Sequence, residues 1–282
     1  MNLLNNQVAI ITGAARGIGL AIARSFAAEG AKLVLLDNGC EKDGSTPDFE
    51  LVKTVGRELE REGAEVLALP CDISNEAQVE RAFEAALERF SQIDILVNNA
   101  NTLRDRSIFD MSLDDWDRVL SVGLRGAFIC SRAFARTSRK ARSGGKILNI
   151  SGISGFQGNI SQANDSAVNA GLFGLTRTTS IELQRFGICV NAIAPIAKTR
   201  QTEHLPMFDK VQGTMEPDHI APAAVYLTSE LSEDLSGAVI SVAGGRLSTY
   251  QLAESRGRMK ESEGGLWTPQ EIADNFDSLS RL

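Results

Sequence analysis

Apolar residues fall in short continuous runs, separated by stretches in which they recur every three or four positions. The first run, "QVAIITG", leads into "LAIARSFAAEG", which has helical spacing and ends at a glycine, and then into "AKLVLLD". A Val/Ile/Leu run bounded by turn residues predicts a strand buried on both faces, and the spaced pattern predicts a helix laid across it. The alternation repeats through "EVLALPCD", "EAQVERAFEAALERF", "DILVNNA", a helix from about Leu113, and "GGKILNIS". A helix over about 164–185, then "CVNAIAP", a helix from about Pro217 and "GAVISVAGG" complete it. Seven strands with intervening helices predict an α/β fold, a doubly wound seven-stranded parallel sheet with helices on both faces.

Two segments interrupt the rhythm. "NGCEKDGSTPDFELVKT" is polar and turn-rich, and reads as an exposed insertion after the second strand. After Arg246 the chain is charged and glycine-rich until "LWTPQEIADNF". There Thr268 is placed to cap a helix, Pro269 to take its first position and Glu271 to close a capping box, with Trp267 and Ile272 at the hydrophobic-staple positions. The expected organisation is one domain over 1–245 and an extension over 246–282 that carries a short capped helix and is not an independent domain.

Composition narrows the function classes. The 282 residues are 43% hydrophobic and 23% charged, as in ordinary globular proteins, with a net charge of −7. That charge disfavours nucleic acid and anionic membranes as partners, because both would be repelled. No apolar run approaches the length of a membrane span and no basic region precedes the first apolar stretch, so a cytoplasmic protein is expected. Cys40, Cys71, Cys130 and Cys189 form no CxxC pair, and His204 and His219 are the only histidines. No metal site is expected, and the cysteines read as small core residues in a reducing compartment.

The first candidate chemistry is "TGAARGIG", Thr12 to Gly19, between a strand and a helix. Gly13 permits a tight turn, and Gly17 and Gly19 let backbone and helix approach a pyrophosphate at the positive end of that helix. Asp37 ends the second strand, where a carboxylate can accept from ribose hydroxyls and repel a 2′-phosphate. The pair points to NAD in preference to NADP.

With these residues the chain resembles the short-chain dehydrogenases/reductases, from Val8 to about Gly245. Asp72 and Ile73 follow the third strand where the family contacts adenine, and "NNA", Asn98–Ala100, follows the fourth. "RDRSIFDMSLDDWDRVL", "GNISQAN" and "NAIAPIAKTRQTE" are similar to a narrower branch, the (3R)-hydroxyacyl-CoA dehydrogenases. The insertion and the "WTPQEIA" extension fit that branch too. The resemblance implies a Rossmann-type fold and cofactor contacts from Gly13, Arg16, Gly17, Ile18, Gly19, Asp37, Asp72, Ile73, Asn99, Ala100, Pro195 and Thr199.

At the chemical end the resemblance implies a tetrad. A Tyr transfers the proton, a Lys four residues on lowers its pKa and binds ribose, a Ser polarises the substrate oxygen and an Asn supports a water relay. Aligned on "QAN-x-SA", these positions hold Asp165 for Tyr, Asn169 for Lys, Gly152 for Ser and Gly123 for Asn. Ser151 and Ser154 flank Gly152, and Asn101 stands where the family has a Gly beside the cofactor. An acid/base poised near working pH needs a nearby cation, and Asn169 supplies none. A charge-assisted bond from Lys to ribose is worth ~1.5–3 kcal/mol, so NAD binding is expected to be weakened by roughly tenfold to a hundredfold, or vestigial.

Three functions compete on this reading. The favoured one is a catalytically degenerate subunit, assembled with an active paralogue in a hetero-oligomer, as a tetramer, and falling back to a homodimer or homotetramer alone. The family pairs through the helices holding Leu113–Arg136 and Asn164–Arg185, and "AGLFGLTRTTSIEL" keeps a small, apolar face. The second is a non-redox lyase, dehydratase or cyclase that uses Asp165 as acid/base. The third is an NAD-responsive regulatory protein. An acyl-CoA-type ligand is a candidate, its phosphates met by Arg104, Arg106, Lys198 and Arg200 near a lid over "KTRQTEHLPMFDKVQGTMEP".

Overall fold

The computed structural model describes residues 2–203, 215–260 and 265–279. The chain divides into two compact units, Met1–Thr249 and Tyr250–Leu282. The strands of the first are β1 (Val8–Thr12), β2 (Lys32–Asp37), β3 (Val66–Pro70), β4 (Ile95–Asn98), β5 (Gly145–Ile150), β6 (Ile188–Ile196), β7 (Val239–Ala243) and β8 (Arg246–Thr249). They form one sheet in the order β3-β2-β1-β4-β5-β6-β7-β8. The seven expected strands run parallel. The eighth is an addition: it folds back antiparallel on β7, Ala243 opposite Arg246 and Ile240 opposite Thr249. Gly244-Gly245 forms the reversal, with Gly244 at φ +54°, a two-residue glycine turn suited to a hairpin. This pairing moves the end of the folded unit from the expected Gly245 to Thr249.

The helices are α1 (Gly17–Ala28), α2 (Phe49–Arg61), α3 (Glu76–Phe90), α4 (Leu113–Leu120), α5 (Ala127–Ala141), α6 (Ser154–Gln157), α7 (Ala163–Gln184), α8 (Ala221–Thr228) and, in the second unit, α9 (Pro269–Leu279). Successive residues of a strand face opposite sides, and β1 divides accordingly. Ala9 and Ile11 join the core under α1, α2 and α8, while Val8 and Ile10 join the core under α3 and α5. Both faces are therefore covered.

Two sequence expectations change. The insertion is shorter than it looks, because "FELVKT" belongs to α2: the Asp48 side chain accepts from Glu50 N, and Val52, Val55 and Leu59 are buried at helical spacing. Only residues 38–48 remain as loop. The helix from Leu113 is not continuous either, since Ser121–Gly126 forms a π-helical turn between α4 and α5. Such turns commonly mark functional sites.

In the second unit, Thr268 N and Oγ1 donate to Glu271 Oε2 at 2.8 and 2.9 Å, and Glu271 N donates to Thr268 Oγ1 at 3.3 Å. Lys260 Nζ adds a bond to the same carboxylate at 2.7 Å. That bond, followed by those from Thr268, holds the Glu271 carboxyl down to about 2. Among the described residues, no helix is long and apolar enough to cross a membrane.

Strand β1 is flanked by β2 on one side and β4 on the other, so the chain order reverses at β1. Connections leave such a point in opposite directions and open a crevice beyond the carboxyl ends of the strands. The candidate site occupies that crevice.

Candidate functional site

At the end of β1 the chain turns through Gly13, at φ +64°, and enters α1. The turn is tied to the end of β4. Thr12 Oγ1 accepts from Asn99 N and Ala100 N at 2.9 and 3.0 Å, and Asn99 Nδ2 donates to Thr12 O and Gly13 O at 2.9 and 3.0 Å. A Cβ on Gly19 would lie 2.2 Å from Gly13 O, so Gly19 lets α1 sit against the loop rather than meeting a ligand. Gly17, at φ +54°, has its nearest would-be neighbour in Thr199, at 3.6 Å. Helix α1 has no side-chain cap and no acidic residue in its first turn. Its N-terminal N–H groups and partial positive charge suit an anion.

Of the twelve expected cofactor contacts, eleven line one cavity of about 440 Å³: Gly13, Arg16, Gly17, Ile18, Asp37, Asp72, Ile73, Asn99, Ala100, Pro195 and Thr199. Gly19 is the exception, for the packing reason just given. The Asp37 carboxylate is fixed by Ala15 N on Oδ2 (2.9 Å) and Gly39 N on Oδ1 (2.7 Å). A glycine cradle and an uncapped helix start offer donors to a pyrophosphate, and the acid at the end of β2 offers an acceptor to ribose hydroxyls, so these residues fit a dinucleotide.

The 38–48 loop is held over this end rather than left free. Arg16 donates to Cys40 O (3.1 Å), Arg200 to Cys40 O (2.8 Å), Arg104 to Asp43 O (2.8 Å) and Arg118 to Gly44 O (3.1 Å). Leu103 N adds a backbone bond to Lys42 O at 2.8 Å. These guanidiniums come from four separate parts of the chain, which no local sequence signal reveals. Two of the arginines expected to meet phosphate are already paired. Arg104 reaches Asp114 at 2.5 Å, and Arg200 reaches Glu41 at 3.4 Å. Arg106 donates to Asp105 O, while Lys198 is exposed. His204 and the rest of 204–214, the middle of the expected lid, lie outside the described residues.

Gly123, Gly152, Asp165 and Asn169 meet at the other end of the same cavity. Asp165, in the first turn of α7, is 7% exposed. Its Oδ2 accepts from Ser154 Oγ (2.9 Å) and Asn169 Nδ2 (2.9 Å), and its Oδ1 from Asn101 Nδ2 (3.2 Å). Asn169 Nδ2 also donates to Ser154 Oγ at 2.8 Å, and Ser151 Oγ donates to Asn169 O at 3.0 Å. Both serines flanking Gly152 are thus bound into one buried polar cluster. The glycine positions are filled by neighbours. A Cβ on Gly123 would lie 2.6 Å from Val168 and 2.8 Å from Asn101 Oδ1, and one on Gly152 would lie 3.0 Å from Asn169. Asn101 and Ser154 are the members that sequence reasoning did not assign to Asp165. Ser154 flanks Gly152 in "SGIS", but only the fold shows that its hydroxyl turns to the acid.

Burial pushes the Asp165 carboxyl above its ordinary value and the Asp105 charge adds to this, while the bonds from Ser154, Asn101 and Asn169 oppose it. A carboxyl raised by folding binds its proton more tightly in the native state. Its stabilising contribution is therefore complete at low pH and is lost as pH rises through its native titration. The melting temperature of Asp165→Asn relative to the parent should accordingly climb between pH 4 and pH 9. Whatever fixed loss the missing acceptor causes, the slope carries the test. A flat or falling difference in differential scanning fluorimetry contradicts the buried-acid assignment.

Comparison with known proteins agrees with this architecture. The family profile described as Enoyl-(Acyl carrier protein) reductase matches residues 13–246. The chain belongs to the short-chain dehydrogenase/reductase family, whose members bind NAD(P). It is 36% identical to the 3-oxoacyl-(acyl-carrier-protein) reductase of Synechocystis over 245 residues, which are 82% of this chain and 96% of that protein. It is 32% identical to a hydroxyacyl-CoA dehydrogenase of Mycobacterium tuberculosis over 281 residues, 95% of this chain and 87% of that protein. A crystal structure of a short chain dehydrogenase from Mycobacterium avium superposes with a TM-score of 0.84 at 35% identity, covering 98% of this chain and 95% of that one.

Proposed function

We propose that this chain is a dinucleotide-binding member of the family that has lost alcohol dehydrogenation. Its role is then that of a structural or regulatory subunit beside an active hydroxyacyl-CoA-type dehydrogenase. One observation carries the reading: Asp165, Asn169, Ser154 and Asn101 bond to one another in the wall of the cavity's chemical end. A proton donor there lacks the reach of a phenol and a cation to tune it. The hydroxyacyl-CoA relative supports the branch, because its match extends over 95% of the chain where that of the carrier-protein reductase covers 82%.

The cofactor on this reading is NAD. When bound, NAD would supply a hydride acceptor. This chain's residues would hold its pyrophosphate at Gly13–Gly17 and its adenosine ribose at Asp37. A 2′-phosphate beside the fixed Asp37 carboxylate would be repelled, so NADP(H) should bind about tenfold more weakly or worse, ~1.4 kcal/mol. Calorimetry that finds NADP(H) the tighter ligand removes the role given to Asp37.

The partner surface on this reading lies on α5 and α7. Phe128 is 46% and Ile181 75% exposed, and Gly174, one helical repeat of seven before Ile181, has open space where a Cβ would stand. Apolar faces of this kind are unfavourable when left bare. Co-expression with a neighbouring complete paralogue, followed by native mass spectrometry, should yield a hetero-oligomer, and a homodimer or homotetramer when the chain is made alone. Gly174→Arg should leave the fold intact and abolish assembly. A paralogue that is fully active and stable alone, and never associates, sinks this role.

A second reading has one observation in its favour. Burial raises the Asp165 carboxyl above its ordinary value, and a carboxyl shifted in that direction is a candidate acid/base for a lyase or dehydratase. Turnover of an acyl-CoA substrate without change in NAD absorbance, lost in Asp165→Asn, would establish it.

A further inference from the structure

The cavity is one continuous space with chemically different ends. The strand order puts the glycine loop after β1 between Asp37, Asp72 and Ile73, at the ends of β2 and β3, and Ser151 and Gly152, after β5, where Asn169 and Asp165 also line the cavity. A pyrophosphate seated on the uncapped α1 terminus leaves one half of a dinucleotide for each end. With the adenosine half at Asp37, the nicotinamide half extends toward Asp165.

Among the described residues no cation bonds the acid at that end. Asp165 is buried, with 7% of its surface exposed. Among the described residues its hydrogen-bond partners, Asn101, Ser154 and Asn169, are all neutral. The field of Asp105, another acid, adds to the cost of its charge. A buried charge without a counter-charge is costly, and a cation brought beside it in low dielectric is correspondingly favoured. The two redox forms of the cofactor differ at this point: the oxidised nicotinamide ring carries a positive charge and the reduced ring is neutral.

We propose that Asp165 makes this cleft selective for NAD⁺ over NADH, so that the chain reports the oxidation state of the dinucleotide instead of changing it. The inference rests on the reading that the chain binds NAD, and adds what the altered end of the site is for. The oxidised ring supplies the counter-charge that the protein withholds, and Asn169, which brings none, leaves that place open. Differential affinity for two forms of one ligand is what a regulatory subunit needs, since a ligand shifts a population only by its differential binding. The apolar surface on α5 and α7 would transmit that state to a partner.

The test is isothermal titration calorimetry at pH 8 with NAD⁺ and NADH on the full chain, on Asp165→Asn and on Asn169→Lys. The parent should bind NAD⁺ at least about tenfold more tightly than NADH, ~1.4 kcal/mol. Asp165→Asn should erase the difference by removing the charge. Asn169→Lys should erase it by placing an ammonium against the carboxylate, so two independent variants address the same point should one fail to fold. Asp37→Ala should weaken both forms alike and leave their ratio unchanged. Equal affinities, or tighter NADH, in the parent overturn the proposal while leaving the chain a dinucleotide binder. A preference that survives both Asp165→Asn and Asn169→Lys overturns the role of Asp165. Failure of both forms to bind removes the underlying reading as well.

Discussion

The purified chain should show no alcohol oxidation or ketone reduction with 3-hydroxyacyl- or 3-oxoacyl-CoA substrates. The deficit expected is roughly 10²–10⁴-fold against a variant with a rebuilt site, the contribution of a positioned acid/base. Asp165→Tyr by itself should not rescue turnover, because the phenol would meet Asn169 and no cation. Nor should the four-residue restoration Gly123→Asn, Gly152→Ser, Asp165→Tyr and Asn169→Lys be sufficient. A side chain at 123 would collide with Val168 at 2.6 Å and Asn101 at 2.8 Å. The informative variant adds Asn101→Gly and Val168→Ala to those four, emptying the space that the relay position needs. Steady-state kinetics on the parent and the three variants should rank the six-residue variant far above the other three. Robust turnover by the unmodified chain, free of contaminating reductase, would end the degenerate-subunit reading.

Gly19→Ala should destabilise the fold and abolish dinucleotide binding together. In an exposed helix the change from glycine to alanine gains about 1 kcal/mol. Here the added Cβ would lie 2.2 Å from Gly13 O and 2.5 Å from Asn99 Nδ2. Backbone must move, and overpacking of that kind costs about 1–3 kcal/mol, which outweighs the gain. The displaced bonds are those by which Asn99 holds Thr12 and Gly13 in place, so the anion cradle opens as the loop shifts. Thermal denaturation should show a melting temperature several degrees lower, at about 2–4 °C per kcal/mol for a chain of this size. A variant as stable as the parent, with unchanged affinity for NAD⁺, would refute the packing role assigned to Gly19.

The sequence by itself determined the alternation of strands and helices, because the spacing of apolar residues is a short-range property. Val8–Thr12, Lys32–Asp37 and Ile95–Asn98 are legible as continuous apolar runs ending at turn residues. The Thr268–Glu271 capping box is legible for the same reason, its partners being three residues apart. The identities of Asp165, Asn169, Gly123 and Gly152 were also plain in the sequence. β8 was signalled by Gly244-Gly245 between "VISVA" and "RLST" but shows only in the sheet, since four residues carry too little pattern to declare a strand. What the tertiary structure alone decided is how distant parts meet. Parallel register between β1 and β4, with Ile11 opposite Val97, brings the turn at Gly13 against Asn99. Register between β4 and β5, with Asn98 opposite Asn149, carries Asn101 and Ser154 to the same end of the sheet, where α7 presents Asp165. The arginines over the 38–48 loop converge in the same way from Arg16, Arg104, Arg118 and Arg200. Those meetings depend on strand order and register across many tens of residues, beyond the reach of local periodicity, and they bring Asp165, Asn169, Ser154 and Asn101 into one buried, acidic cluster.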